Sequence, residues 1–235
     1  MDYIKDFLEV YKKSLGETGK ILIKAPLIII LPLLFSLVST LVYTGLIAAL
    51  SNLGIILGFI LAIVEAILLS AYFSFLDEAI NYQRFKLVID KSLMRYARAI
   101  YAVKFIFYLA SILLGNLLAL GPIAIIVFIL LNPLGESIYL GQRYGLDAIN
   151  YSFSYLGENW YLWLPHTLLF LLLGKFRYLF FTANPLNIYV TTLSFNPVDL
   201  IIMAVLGIYF IFRGVLFKNT RNSSMRKRKY MGAWQ

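Results

Sequence analysis

Apolar residues form six long runs along the chain, and shorter segments richer in charge separate them. The runs cover residues 25–50, 54–75, about 102–119, about 122–139, about 160–176 and 198–217. A helix needs about 20 apolar residues to cross the hydrocarbon core of a bilayer, and each run is close to that length. The pattern therefore predicts an all-α integral membrane protein, a bundle of six transmembrane helices.

The boundary between the third and fourth runs is the least distinct of these. The apolar sequence is continuous there except at Leu120-Gly121-Pro122. Proline cannot donate a backbone hydrogen bond to a preceding helix but suits the first turn of a new one, so we predict two helices. One long tilted helix is the alternative, and it would give five spans.

An amphipathic segment precedes each pair of spans. Apolar residues recur in these segments at intervals of three and four, which is the helical period, with charged residues between them. Such helices typically lie in the plane of the membrane interface. The apolar positions are Ile4, Phe7, Leu8, Tyr11 and Leu15, then Phe85, Val88, Ile89, Leu93 and Tyr96, and finally Leu146, Ile149, Phe153 and Leu156.

The basic residues predict the orientation. With six spans, 19 of the 21 lysines and arginines fall on the side of the two termini, and only Lys175 and Arg177 fall on the other. This division assigns Lys104 to the loop after the second span and Arg213 to the cytoplasmic end of the sixth. Short loops rich in Lys and Arg stay in the cytoplasm, so we expect both termini inside and a multi-pass location in the cell membrane.

Composition supports a membrane protein with little outside the bilayer. Hydrophobic residues make up 61% of the 235 residues and charged residues 14%, whereas soluble domains have about 45–50% and about 25%. We predict a single transmembrane domain over residues 1–217 and a basic cytoplasmic tail over 218–235. The first 20 residues do not resemble a signal peptide. The net charge of +9 is explained by topology and by attraction to anionic lipid headgroups, with contacts at Arg226, Lys227, Arg228 and Lys229. We expect no nucleic-acid partner.

The chain can be divided into three units, 1–75, 76–139 and 140–217, each an amphipathic segment followed by two spans. A short sequence, Glu-Ala-Ile-Asn-Tyr at 78–82, is echoed by Asp-Ala-Ile-Asn-Tyr at 147–151. Duplication and chance both explain this echo. A stretch such as DAINYSFSYLGENWYLW leading into a hydrophobic hairpin resembles uncharacterised polytopic membrane families of bacteria and archaea. The layout is also similar to the membrane domains of some glycerophosphodiester phosphodiesterases. The resemblance implies a helical membrane bundle and no particular activity.

Small residues occupy every fourth position of the second span. Such a stripe lets another helix approach closely and gain dispersion contacts in lipid, so we interpret it as a packing face. The partner helix would belong to this chain, to a second copy or to another protein. The stripe consists of Gly54, Gly58, Ala62, Ala66, Ser70 and Ser74.

Several polar residues within the spans are candidates for an ion, proton or substrate path. Glu65 lies in the middle of the second span beside the small-residue stripe, where a carboxylate is costly unless protonated, paired or hydrated. Asn132 and Glu136 flank Pro133 and Gly135, which break the fourth span and free backbone carbonyls. Asn116 and His166 are further buried polar candidates. For each of these residues, an interhelical hydrogen bond or a plain kink is the structural alternative.

The sequence carries no recognisable catalytic motif. There are no cysteines and one histidine, so a multi-ligand zinc site is not expected, and we predict neither a metal nor another cofactor, nor an enzyme. Two functions remain. One is a transport-related protein, a permease-like subunit or small channel, with Glu65 and the break at 132–136 lining its path. The other is a non-transporting membrane complex subunit or assembly factor that holds partners through the small-residue stripe. A lipid-modifying enzyme would need a polar cluster at headgroup depth, which the sequence does not indicate.

Overall fold

The computed structural model describes residues 2–89, 91–114, 121–171, 184–189 and 197–230. All regular secondary structure in these ranges is helical, which confirms the predicted class. Among the described residues, short 3₁₀ helices cover Pro26–Ile30, Ser51–Leu53 and Pro185–Tyr189. The α-helices are α1 (Asp2–Lys24), α2 (Leu31–Leu50), α3 (Ile55–Tyr82), α4 (Lys91–Leu114), α5 (Gly121–Leu130), α6 (Leu134–Tyr139), α7 (Gly145–Phe170), α8 (Pro197–Thr220) and α9 (Met225–Tyr230).

Within the described ranges, five helical segments are long and apolar enough to cross a membrane. They are Pro26–Leu53, Ile56–Tyr82, Lys91–Leu114, Pro122–Tyr139 and Leu200–Thr220. The third and fourth of these segments correspond to the third and fourth predicted spans, and residues 115–120 between them lie outside the described residues. The predicted fifth span, about 160–176, begins inside α7 and continues past residue 171 into residues outside the described ones. These apolar helices are compatible with a membrane location.

The spans differ in how much of their surface lies inside the protein. About three fifths (61%) of the apolar window is buried in Pro122–Tyr139 and in Leu200–Thr220, against 22–28% in the other three. The broken α5–α6 segment and α8 therefore form the centre of the bundle. Close approach is achieved at Gly207 of α8, where a Cβ would lie only 2.9 Å from the carbonyl carbon of Ile29. The less buried spans present wide apolar surfaces, as lipid-facing helices do.

The first and third amphipathic segments form helices in which part of the apolar residues face away from the bundle, while others, such as Tyr11 and Leu156, pack against the core. In α1, Ile4 and Leu8 are 67% and 60% exposed, whereas Asp6 and Ser14 are fully buried against the other helices. In α7, Leu146 is exposed and Ser152 is buried. Helices that pack through polar or small residues and present leucine and isoleucine outward fit a membrane interface, where the outer face meets acyl chains.

The second amphipathic segment was predicted as a helix between Glu78 and Ile100, and the structure interrupts that helix in its middle. Helix α3 continues to Tyr82 and is ended by Gln83, whose φ of 56° lies in the left-handed region. Residues 84–89 then run without regular structure before α4 begins at Lys91. The apolar residues at helical spacing instead serve different roles: Tyr96 is buried in the core, while Ile89 is 79% exposed.

The structure divides the small-residue stripe of α3 into two halves. Ala66, Ser70 and Ser74 are buried, and α4 is the helix with which α3 packs most extensively. A Cβ on Gly58 would meet nothing within 4 Å. The other half of the stripe, which consists of Gly54, Gly58 and Ala62, lines an open groove of about 350 Å³ beside α4. The stripe therefore packs tightly along one half of the helix and leaves a groove along the other.

Candidate functional site

The break in the fourth span creates the centre of the site. Helix α5 ends at Leu130 and α6 begins at Leu134, because Pro133 has no N–H to continue the helical ladder. The backbone oxygen of Asn132, left outside both helices, accepts a hydrogen bond of 2.7 Å from Nη2 of Arg213 in α8. The break thus turns a backbone carbonyl into a ligand for a buried cation.

A fully buried ion pair joins the two central segments of the bundle. Nη2 of Arg213 lies 2.8 Å from Oε2 of Glu136, and both side chains have 0% exposure. The hydroxyl of Tyr189 donates to the other carboxylate oxygen at 2.9 Å. Gly135 makes room for this tyrosine, because a Cβ there would lie 2.7 Å from the ring carbon Cε2.

Aromatic rings enclose the guanidinium group. The Cζ atom of Arg213 lies 5.4, 5.9 and 5.5 Å from the ring centroids of Trp163, Tyr189 and Tyr209. Cation–π attraction to such rings is strongest where water is excluded. Trp163 also donates from Nε1 to Oδ1 of Asn132 at 2.9 Å, so the ring wall and the helix break are fixed together.

His166 closes one side of this centre. Its Nδ1 lies 3.2 Å from the hydroxyl of Tyr209, and its ring packs edge-on against Trp163 at 4.5 Å. Several buried polar atoms of the centre make no hydrogen bond with any part of the chain that the structure describes. They are Nε and Nη1 of Arg213, Nδ2 of Asn132, Nε2 of His166 and the hydroxyl of Tyr139. Such atoms normally find partners, and the described residues leave these, mostly donors, without one.

Three of the predicted path residues meet at this centre: Asn132, Glu136 and His166. Arg213, which bonds to Asn132 and Glu136, was counted from the sequence among the basic residues at the cytoplasmic end of the last span, and the structure buries it completely. The apolar run of its helix continues for four residues beyond it, Gly-Val-Leu-Phe. A single basic residue inside an apolar run was the signal in the sequence that could have identified Arg213 as a residue of the centre. Asn116 lies outside the described residues.

Glu65 lies elsewhere, on the outer side of the bundle. It forms an ion pair with Lys104 of α4, and the two side chains retain 23% and 13% exposure. Lys104 was predicted to lie in a cytoplasmic loop, but it occupies the middle of a candidate span. The ring of Tyr72, which lies in the same helix as Glu65, contacts Tyr189. Glu65 lies seven residues before Tyr72, which is about 10 Å along the helix axis.

The open half of the α3 stripe adjoins this outer ion pair. The groove lies between α3 and α4, and Lys104 is one of its polar lining residues. The remaining lining is apolar or aromatic. The lining consists of Gly54, Gly58, Phe59, Ala62, Tyr101, Lys104, Phe105 and Tyr108.

The basic tail is only partly a surface feature. Arg226, Lys227 and Lys229 are exposed, but Arg228 is 7% exposed and pairs with fully buried Asp6 of α1 at 2.8 Å. Burial lowers the pKa of the Arg228 guanidinium, but the hydrogen bonds and the charge of Asp6 raise it above its ordinary value. The structure thus removes Arg228 from the predicted headgroup contacts, because its charge is neutralised inside the protein.

No group of three or more potential metal ligands occurs among the described residues. Comparisons with protein-family models, with curated proteins and with solved structures find no match. The geometry of this chain is therefore the basis for assigning a function.

Proposed function

We propose that this chain is a transport-related membrane protein, a permease-like subunit or small channel, whose charged centre is the Arg213–Glu136 pair. The observation that carries the proposal is a fully buried ion pair at a helix break, with Nε and Nη1 of Arg213 making no hydrogen bond to the described residues. The carboxylate at this centre is Glu136, not Glu65.

Energetic reasoning favours a role beyond holding helices together. Burying two charges is expensive, and well-packed apolar residues of similar size often stabilise a protein as well or better. A purely structural pair would also be expected to satisfy all of its donors, because each unsatisfied buried group costs about 1–3 kcal/mol. Broken helices with charged or polar residues at membrane depth are typical of ion and substrate sites.

The alternative function, a non-transporting subunit or assembly factor, is favoured by a different feature. The open groove beside Gly54 and Gly58 offers a face with no Cβ obstruction to another helix. Under this alternative the protein partner, or a second copy of the chain, would pack there. Stable co-purification with another membrane protein in mild detergent, lost on substitution of Gly58 by leucine, would support it.

The transport proposal includes six crossings of the cell membrane with both termini in the cytoplasm. The contact between Asp6 and Arg228 supports an even number of crossings, because it joins the two terminal segments on one side. The apolar second half of α7, which is the predicted fifth span, would then add a sixth crossing to the five candidate spans. The chain is free of cysteine, so single cysteines placed at exposed Asn222 and Asn52 report the topology directly. We expect a membrane-impermeant thiol reagent applied to intact cells to label Asn52→Cys and not Asn222→Cys.

Transport is tested by flux into liposomes that contain the purified protein. The probes are proton, potassium, chloride and acetate gradients, each followed with a dye or an ion-selective electrode. We expect at least one gradient to dissipate faster than in empty liposomes, and Glu136→Gln, compared at equal amounts of protein that circular dichroism shows to be folded, to reduce that rate at least tenfold. Asp147→Asn, which neutralises an exposed carboxylate in the surface pair with Arg143, is the matched control and should have no effect. If folded wild-type protein moves none of the four, the transport proposal is rejected in favour of the subunit.

A further inference from the structure

A second polar feature lies away from the Arg213 centre, at the start of α4. An open groove of about 730 Å³ is lined by residues of the first two turns of α4 and by the residue that precedes α7. The lining residues are Lys91, Met94, Arg95, Arg98 and Tyr144. Its volume lies within the range of about 300–1,000 Å³ typical of sites for small ligands.

The groove carries three positive charges. Lys91, Arg95 and Arg98 recur at intervals of four and three, which places them on one face of α4, and all three are exposed. None of them forms an ion pair with an acidic residue in the described ranges. Arg95 makes a long contact of 3.4 Å with the amide oxygen of Gln142, which leaves its charge unneutralised. The groove therefore attracts an anion.

Apolar side chains border these charges. Met94 is 59% and Tyr144 55% exposed, and both line the groove. Close to them in sequence, Ile89 and Leu146 are 79% and 64% exposed. Exposed apolar residues around a basic site suit a ligand that combines a negative group with hydrocarbon.

The groove lies at the end of the bundle where several membrane helices end. The hydroxyl of Tyr96, in the same part of α4, donates to Oδ2 of Asp77 near the end of α3 and to the backbone oxygen of Tyr139 at the end of α6. Arg221, just after α8, donates to the backbone oxygen of Leu140 at 2.5 Å. Helix ends that meet at one level mark the depth of the lipid headgroups.

We propose that this groove binds the phosphate of an anionic glycerophospholipid headgroup. Arg95 and Arg98 donate to the phosphate oxygens, Lys91 adds charge, and Met94 and Tyr144 contact the glycerol and the first methylene groups. Arginine suits this role because its planar donors match phosphate oxygens. This site is distinct from the Arg213 centre and does not depend on the transport proposal.

The test measures lipid binding to the purified full-length protein in detergent micelles. Native mass spectrometry counts dioleoyl phosphatidic acid and dioleoyl phosphatidylcholine retained by the wild type and by Arg95→Gln/Arg98→Gln. We expect the wild type to prefer phosphatidic acid and the double variant to lose about 30-fold in affinity for it, as two charges near a membrane surface would give. Lys12→Gln/Lys13→Gln removes the same charge from exposed positions of α1 and should bind as the wild type does.

Three outcomes would overturn the proposal. Equal losses in both double variants would show that overall charge, not this groove, attracts the lipid. Unchanged binding in Arg95→Gln/Arg98→Gln, with a loss in Arg226→Gln/Lys227→Gln, would place the lipid on the tail instead. Displacement of phosphatidic acid by glycerol 3-phosphate at equal concentration would show that the ligand is a soluble phosphate ester. Circular dichroism and a single gel-filtration peak confirm that each variant is folded before its binding is read.

Discussion

Replacing Glu136 with glutamine isolates the contribution of the central ion pair. The substitution keeps the size and one oxygen of the side chain, so the hydroxyl of Tyr189 can still donate to it. It removes the negative charge 2.8 Å from Nη2 of Arg213. Because a guanidinium group does not lose its proton in a protein, the positive charge stays buried and uncompensated. We expect Glu136→Gln to destabilise the folded bundle strongly.

The expected magnitude follows from the burial of both partners. Removing one member of a buried ion pair costs about 3–5 kcal/mol in the free energy of unfolding, mainly through the isolated charge that remains. Replacing both members, as in Glu136→Leu/Arg213→Met, removes the charge as well as the pair. That double variant should therefore lie within about 2 kcal/mol of the wild type, although it contains more changes. The exposed pair Arg143–Asp147 should contribute less than about 1 kcal/mol.

The assay is reversible unfolding in mixed micelles of mild detergent and dodecyl sulfate. In a Trp160→Phe/Trp234→Phe background the fluorescence of Trp163, which packs against Arg213, reports the centre, and circular dichroism reports helix content. Asp147→Asn serves as the control for loss of a carboxylate. The reasoning is refuted if Glu136→Gln costs no more than Asp147→Asn, or if the double variant is as unstable as the sum of its single variants.

Two further predictions concern close packing and the terminal contact. Gly207→Ala should lower the free energy of unfolding by about 1–3 kcal/mol, because the added Cβ forces α8 away from the backbone of Ile29. The control is Gly45→Ala, which should be neutral or slightly stabilising because nothing lies within 4 Å of the added Cβ. Both variants are measured in the same unfolding assay. Asp6→Asn should weaken the hold on Arg228 and speed amide hydrogen exchange in α9 at least tenfold with little change in α4, and equal exchange in the variant and the wild type would contradict this.

The helical class of the protein and the helix break could be predicted from sequence because both rest on local rules. Apolar runs of about 20 residues indicate membrane helices, and Asn132-Pro133 interrupts a helix wherever it occurs. The same rules singled out Glu136 and His166 as costly residues at membrane depth. They could not show that α6, α7 and α8 bring Glu136, His166 and Arg213 to one centre, because that depends on tertiary packing.

The basic residues were harder to interpret because a count of charges treats each one as solvent-exposed. Arg213 and Lys104 lie near the ends of their apolar runs, where lysine and arginine usually mark the cytoplasmic side. Their carboxylate partners are 77 and 39 positions away in sequence, so local patterns carry no sign of the pairing. Arg228 was mistaken for a surface charge for the same reason, since its partner Asp6 lies at the other end of the chain.

The outer ion pair allows a test of whether Glu65 acts alone or only with Lys104. A single unpaired charge near the middle of a membrane helix costs about 2.5–3.5 kcal/mol, so Glu65→Lys and Lys104→Glu, which each place two like charges together, should lower the yield of folded protein sharply. The exchange Glu65→Lys/Lys104→Glu restores opposite charges at the same two positions and should recover most of the yield. If the exchanged variant also transports as the wild type does, Glu65 holds α3 against α4 and its carboxylate carries nothing. If it folds but has lost flux, Glu65 itself lies on the path. An exchanged variant that folds no better than the single variants would show that the two side chains do not pair in the membrane.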